Sequence, residues 1–224
     1  MVNLDPALCR LIGFSLAVSL AATAAAVLIG LPAGAALAIC RFRGRSILIL
    51  LANAFLGLPP VVVGLALYLL LSRSGPLGFL RLLFTPEAMV LAQFLLALPI
   101  VTALAHRVAE HAWGEFGDEL LVAGASRTQA IPHIVAIGRR GALTAGLAGF
   151  GRAVSEVGAI LIVGGNIAGY TRTMTTDIVL QTSEGNLAFA LALGCVLIAI
   201  SFLASAGVFA LTARPDRAQY GERP

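Results

Sequence analysis

Five long apolar runs divide this chain of 224 residues, at about 8–39, 47–71, 87–106, 142–164 and 187–211. A run of roughly 20 apolar residues crosses a bilayer as a helix. Backbone N–H and C=O groups find no partners in lipid, so a spanning segment is either a helix or part of a closed barrel. Barrel strands alternate apolar and polar residues, and these runs do not. The pattern predicts an all-α integral membrane protein with a bundle of about five transmembrane helices. Residues 1–211 read as a single transmembrane domain, carrying a polar loop at about 107–141, and 212–224 as a short tail. The first run is longer than a bilayer requires: either it tilts, or its start is a separate short helix at the surface. It is also too long for the core of a cleaved signal peptide, so it reads as an uncleaved span.

Two kinds of residue modify these runs. "SLAATAAA" and "GALTAGLAGFG" are stripes of small side chains that let helices approach closely. "GLPP" at 57–60 and Pro99 place proline inside spans two and three, where it frees a carbonyl and kinks the helix. Such kinks are tolerated at membrane depth where protein or a water-filled path covers the freed groups. That favours a pathway protein over a simple anchor.

Composition agrees. The chain is 59% hydrophobic and 12% charged, against about 25% charged in a soluble domain. All 15 basic residues are Arg, and there is no Lys. The net charge of +4 does not point to nucleic acid, because the arginines sit in short loops between spans. Their placement orients the bundle. With the N-terminus outside, the inner segments hold Arg41, Arg43, Arg45, Arg107, Arg127, Arg139, Arg140, Arg214, Arg217 and Arg223, and the outer ones only Arg10, Arg73, Arg81 and Arg172. This predicts a multi-pass protein of the cell's inner membrane with its N-terminus outside and its C-terminus cytoplasmic. Cys9, Cys40 and Cys195 form no CxxC pair, and His106, His111 and His133 no HExxH pattern, so no metal site is expected.

Span four contains a contradiction. "RAVSEVGAILIVGGN" carries Arg152 and Glu156 in otherwise apolar sequence. Arg152 lies 12 residues beyond Arg140, about 18 Å along a helix and near mid-membrane. Glu156 is one turn further, on the same face. Isolated charges at that depth are expensive, so the two are expected to pair and to face protein or water. Two readings stand: a structural pair that holds the bundle, or an arginine that lends positive potential to an anion path while Glu156 holds it.

The loop after span three, from Arg107, is too short for a domain and too patterned for a linker. Asp118 to Ala123 reads as a short helix, its acidic residues suited to a helix N-terminus. Gly124 then breaks the run, and Ser126-Arg127-Thr128-Gln129 has the spacing of a capping box that starts a second helix. The result is a helix-turn-helix on the cytoplasmic face. It could rest on the membrane surface as an amphipathic hairpin, or dock a cytoplasmic partner. DNA binding is disfavoured by its tether between two spans and its acidic first helix.

"DELLVAGASRTQAIPHI" resembles the cytoplasmic EAA loop of ATP-binding-cassette (ABC) importer permeases. Asp118 takes the acidic place, Glu119 and Leu120 the next two, Gly124 the glycine six positions on, and Ala125 and Ser126 the small residues that follow. "GFGRAVSEVGAILIVGGNI" and "TRTMTTDIVLQTSEGN" resemble the type I oxyanion branch of that family, most of all its tungstate-type members. Arg152, Ala153, Glu156, Gly158, Ala159 and Asn166 match the branch's R-A-x-x-E-x-G-A pattern and the turn after it. Asp177 departs from it, standing where an uncharged residue is more usual.

The resemblance implies a permease subunit that works as a homodimer, with a dimer of cytoplasmic ABC ATPases and an extracytoplasmic substrate-binding protein. ATP would be used by the partner. This chain has no Lys for a P-loop, so it is expected to bind no cofactor and to be no enzyme. The cargo would be an oxyanion, tungstate before molybdate or sulfate, carried by alternating access. Asp118, Glu119, Leu120, Gly124, Ala125 and Ser126 would dock the ATPase, and Arg152, Ser155, Glu156 and Asn166 would line the path. Two other classes compete. An ion-coupled secondary transporter usually shows inverted repeats or more intramembrane charge. A membrane enzyme would need paired carboxylates, a nucleophile with its base, or a metal cluster. Neither set of features is found.

Overall fold

A computed structural model describes residues 6–212, and the expected tail at 212–224 lies almost wholly outside them. The described residues form nine α-helices: α1 (Pro6–Ile39), α2 (Arg45–Ala54), α3 (Pro60–Leu71), α4 (Pro86–Val122), α5 (Arg127–Ile137), α6 (Arg139–Val154), α7 (Gly158–Gly164), α8 (Met174–Ser183) and α9 (Leu187–Thr212). Three of them, α1, α4 and α9, are each long and apolar enough to cross a membrane; the bent pairs α2–α3 and α6–α7 bring the number to five if each counts as one span.

α1 is one unbroken helix of 34 residues, about 50 Å long, so its start is not a separate surface helix. α4 is its main neighbour. Gly30 and Gly34 face α4 so closely that a Cβ on Gly34 would lie 2.6 Å from the Thr102 carbonyl oxygen and 2.7 Å from the Ala105 Cβ. Small residues on other helices serve the same end. A Cβ on Gly149 of α6 would meet Val101, and one on Gly64 of α3 would meet the backbone of Ala159 in α7. The largest buried cluster joins α1, α3, α4 and α7 through Val18, Leu67, Met89, Leu96 and Ile160.

The second predicted span is not one helix. α2, with its short 3-10 extension, meets α3 at 107°. The cause is local: Pro59 and Pro60 offer no N–H, and Leu58 and Pro59 sit in extended conformation with ψ of 122° and 120°. α3 alone has 12 residues, about 18 Å, too short for the hydrocarbon core. Span four is likewise broken, by 58° between α6 and α7. Pro99 by contrast lies buried within α4, which runs on through it.

α4 also corrects the predicted hairpin. It continues from the third span to Val122, so Asp118–Ala123 is its last turn and not a separate short helix. Ala109, Ala112 and Gly117 keep a buried stripe along this extension, which carries the helix past Gly114. The acidic pair therefore sits at a helix C-terminus, where the dipole is unfavourable to it.

α1 and α9 run in the same direction. Arg10 and Phe14 line one cleft with Phe189 of the first turn of α9, and Leu31 lines another with Val208 near its end. The α4–α5 turn lies at the end where α1 stops, since Arg127 donates to the Ile39 carbonyl (2.7 Å). α9 is loosely held, with only Ala190 and Leu193 buried.

Candidate functional site

Breaking a helix inside a membrane strands its backbone groups. α6 ends with free carbonyls and α7 begins with free N–H groups. Arg152 stands in the last turn of α6, where a cation suits the dipole, and Glu156 just before α7, where an anion does. Glu156 Oε2 accepts from Arg152 Nη1 at 2.8 Å, and Oε1 accepts from the Ala159 N–H at 2.9 Å. The predicted pair is present, but it spans a break and not one continuous helical face. Glu156 is 2% exposed and the Arg152 side chain 25%. Ser155 is exposed at the break itself and returns its hydroxyl to the Gly151 carbonyl (2.8 Å).

Neighbouring elements complete the seal. Gln93 of α4 is buried and donates Nε2 to the Ala153 carbonyl (2.9 Å). Thr175, in the first turn of α8, donates to the Glu156 carbonyl (2.9 Å). The Met174 N–H reaches Ser15 of α1 (2.8 Å). Thr173 and Thr176 form a reciprocal capping box on α8. The start of this half-helix thus lies against the α6–α7 break, in a buried polar cluster within an apolar bundle. Gln93 and Ser15 are not among the residues expected at the site, although polar residues inside apolar spans are a signal; the threonines lie in the stretch that carries the family resemblance, but nothing in it told of their hydrogen bonds to the break.

Asn166 lies apart, beyond the far end of α7. It adopts φ 50° after Gly165 at φ 71°, a left-handed pair that ends the helix and that Asn tolerates. Its Oδ1 is buried with no partner among the described residues. Thr171 closes this turn, accepting from the Ile167 N–H (2.9 Å) and donating to the Gly164 carbonyl (2.6 Å). So Arg152, Ser155 and Glu156 converge, and Asn166 stands a length of α7 away.

The α4–α5 turn is sharply defined. Gly124 has φ +86°. The N–H groups of Ala125 and Gly124 bond the carbonyls of Leu120 and Leu121, each at 3.0 Å, the paired closure of a Schellman end. Ser126 then caps α5 reciprocally with Gln129 (3.3 and 2.9 Å). Asp118, Glu119 and Ser126 are exposed, Leu120 and Ala125 half-buried. Neither acid forms an ion pair among the described residues. Val122 is 89% exposed at the tip. Below it, Arg127 lies over the Trp113 ring at 5.5 Å and binds the end of α1, fixing the turn to the bundle.

No protein-family model matches the chain. It is similar to the probable anion ABC transporter permease of Haloferax volcanii, at 43% identity over 89% of this chain and 87% of that one. It is also similar to the tungstate uptake system permease of Peptoclostridium acidaminophilum, at 38% identity over 94% and 92%. The corresponding permease of Campylobacter jejuni is 40% identical over 72% and 67%. The chain belongs to the ABC transporter permeases. Molybdenum and sulfate transport permeases match at lower identity. The permease is a multi-pass membrane protein and not an enzyme. Its family implies an ATPase and a substrate-binding partner.

Proposed function

We propose that this chain forms the membrane path of an ATP-driven importer for a tetrahedral oxyanion, with tungstate as cargo ahead of molybdate or sulfate. The observation that carries this reading is the likeness to a tungstate uptake permease over 94% of the chain. Two copies enclose the path, because five spans or fewer are too few to do so alone and two-fold dimers are the commonest assembly. The N-terminus lies outside and the C-terminus in the cytoplasm of the cell's inner membrane. The chain binds no cofactor; ATP is bound and hydrolysed by a pair of cytoplasmic ATPase subunits. An extracytoplasmic binding protein delivers the anion.

The turn at 118–126, an EAA loop, docks the ATPase. The support is its shape and its unmet charge. Asp118 and Glu119 face solvent at a helix end that disfavours anions, beside the exposed Val122 and Leu121. A cationic, partly apolar groove on a partner resolves both features. Motion of that groove passes through Arg127 to α1 and along α4. At mid-membrane, Arg152 and Ser155 face the path, Glu156 holds Arg152 in place, and Asn166 lies further out along it. ATP and the loaded binding protein both favour the outward-open state, and hydrolysis resets the inward one.

The test is reconstitution. Purified with its ATPase and binding protein in liposomes, the permease should take up tungstate only with ATP inside the compartment that faces the ATPase. Accumulation on an ion gradient by an ATPase-free preparation would sink the reading. Uptake of sulfate or molybdate in preference to tungstate would reassign the cargo.

A further inference from the structure

Arg10 and Arg172 lie far apart in the chain. The fold brings them to one cleft of about 380 Å³, walled by Phe14, Tyr170 and Phe189 at the end where α1 and α9 begin. Among the described residues that line it, Asp177 is the acidic one, so Arg10, Arg172 and Asp177 together carry a net positive charge of one. We infer that this cleft is a receiving site for a tetrahedral oxyanion on the permease itself, ahead of the broken span.

Three observations carry the inference. First, Arg172 is poorly satisfied. Its Nη1 stands 3.8 Å from Asp177 Oδ1, too far for a hydrogen bond, and its Nε is buried without a hydrogen-bond partner among the described residues. Second, Asp177 is itself turned partly to Gln181, whose Nε2 lies 3.4 Å from Oδ1, so it does not hold Arg172 firmly. Arg10 forms no ion pair among the described residues. Third, the dimensions fit. A space of about 380 Å³ matches roughly a dozen waters, room for a small oxyanion and part of its hydration shell. Guanidinium groups present forked donors that match two oxygens of such an anion. Aromatic walls lower the local dielectric and strengthen that attraction. Asp177 tunes the site: it competes with the anion for Arg172, so the anion is held weakly enough to move on. This also accounts for a carboxylate at the position where the family resemblance calls for an uncharged residue.

The inference rests on the oxyanion-import reading, and the experiment separates the two. Tungstate binding is measured on the permease–ATPase complex in maltoside detergent without the binding protein, with transport by the full importer measured in liposomes, for wild type, R10Q, R172Q, R172K and D177N. An anion site predicts that R172Q and R10Q each raise the half-saturating tungstate concentration at least tenfold. R172K should keep most of the binding, and D177N should lower the half-saturating concentration two- to tenfold. A merely structural Arg172–Asp177 pair predicts instead that R172Q and D177N fail alike, which would overturn the inference. So would unchanged binding in R172Q, or a bound phospholipid lost in R172Q while tungstate binding persists. If the wild-type importer moves none of the three oxyanions, the import reading falls and this site with it. If it transports normally while R172Q and R10Q are indistinguishable from it, only the receiving site falls.

Discussion

Glu156 holds Arg152 at 2.8 Å with one carboxylate oxygen and the Ala159 N–H at 2.9 Å with the other, so one side chain ties the last turn of α6 to the first turn of α7. The pair therefore does more than neutralise itself. Each charge also sits at the helix end whose dipole it complements.

Removing one partner should be worse than removing both. R152Q leaves a 2%-exposed carboxylate without its cation, a loss of about 3 kcal/mol, since Arg152 is not fully buried. E156Q keeps an acceptor for Ala159 but strands the guanidinium. The R152Q/E156Q double variant should recover at least half of the stability lost by the worse single one, read as midpoint of thermal aggregation in detergent. Additive losses would show that the two charges do not stabilise each other. Transport separates the second role: if R152Q with normal assembly takes up tungstate at the wild-type rate, Arg152 is not part of the path.

At the proposed docking turn, stability and coupling should move in opposite directions. Asp118 is near the C-terminal end of α4, so D118R replaces an unfavourable charge by a favourable one, worth about 0.3–1 kcal/mol to the helix. A docking role predicts that this more stable variant binds its ATPase at least tenfold more weakly. Gly124→Ala, forced into φ +86°, should destabilise the turn by about 1–2 kcal/mol and weaken association too. Wild-type ATPase stimulation in both would remove the docking role.

The α1–α4 contact offers a test of packing alone. Gly34→Ala sets a methyl 2.6 Å from the Thr102 carbonyl oxygen and must part the helices; overpacking of this kind destabilises by about 1–3 kcal/mol. Gly13→Ala on the same helix has no atom within 4 Å of its new carbon and should be neutral or slightly stabilising. Equal melting of the two variants would show that the close approach is not required.

These particulars mark what the sequence made legible. Apolar length announced α1, α4, α9 and the two bent pairs, and the break at Leu58 was readable because Pro59 and Pro60 cause it. The break at Ser155 has no proline; its signal was the charged pair, which alone reads as two neighbours on one helical face. The continuity of α4 was obscured because Asp118 and Glu119 resemble a helix start by local charge. Ala109 and Ala112, buried against Ala35, Ile39 and Ile134, override that preference, and only tertiary contact shows this. α8 was invisible to hydropathy, since a half-helix rich in threonine is buried by its hydrogen bonds to Ser15 and Glu156 and not by apolar transfer. The turn at Gly124 and the capping box at Ser126 were legible in full, because both rest on backbone chemistry within a few residues.

Arg127 is the joint through which the turn meets the bundle. It donates to the last carbonyl of α1 at 2.7 Å and lies over Trp113 of α4 at 5.5 Å. R127A removes a cation from a helix C-terminus and a cation–π contact, together about 1–2 kcal/mol, too little to unfold the spans. If force from the ATPase reaches α1 by this route, R127A should leave ATPase association within twofold of wild type. Tungstate moved per ATP hydrolysed should fall at least fivefold. R127K keeps the charge but loses the planar fork, and should fall between. A ratio unchanged in R127A would mean that α4 alone carries the coupling. A parallel loss of association would mean that Arg127 shapes the docking surface instead of transmitting its motion.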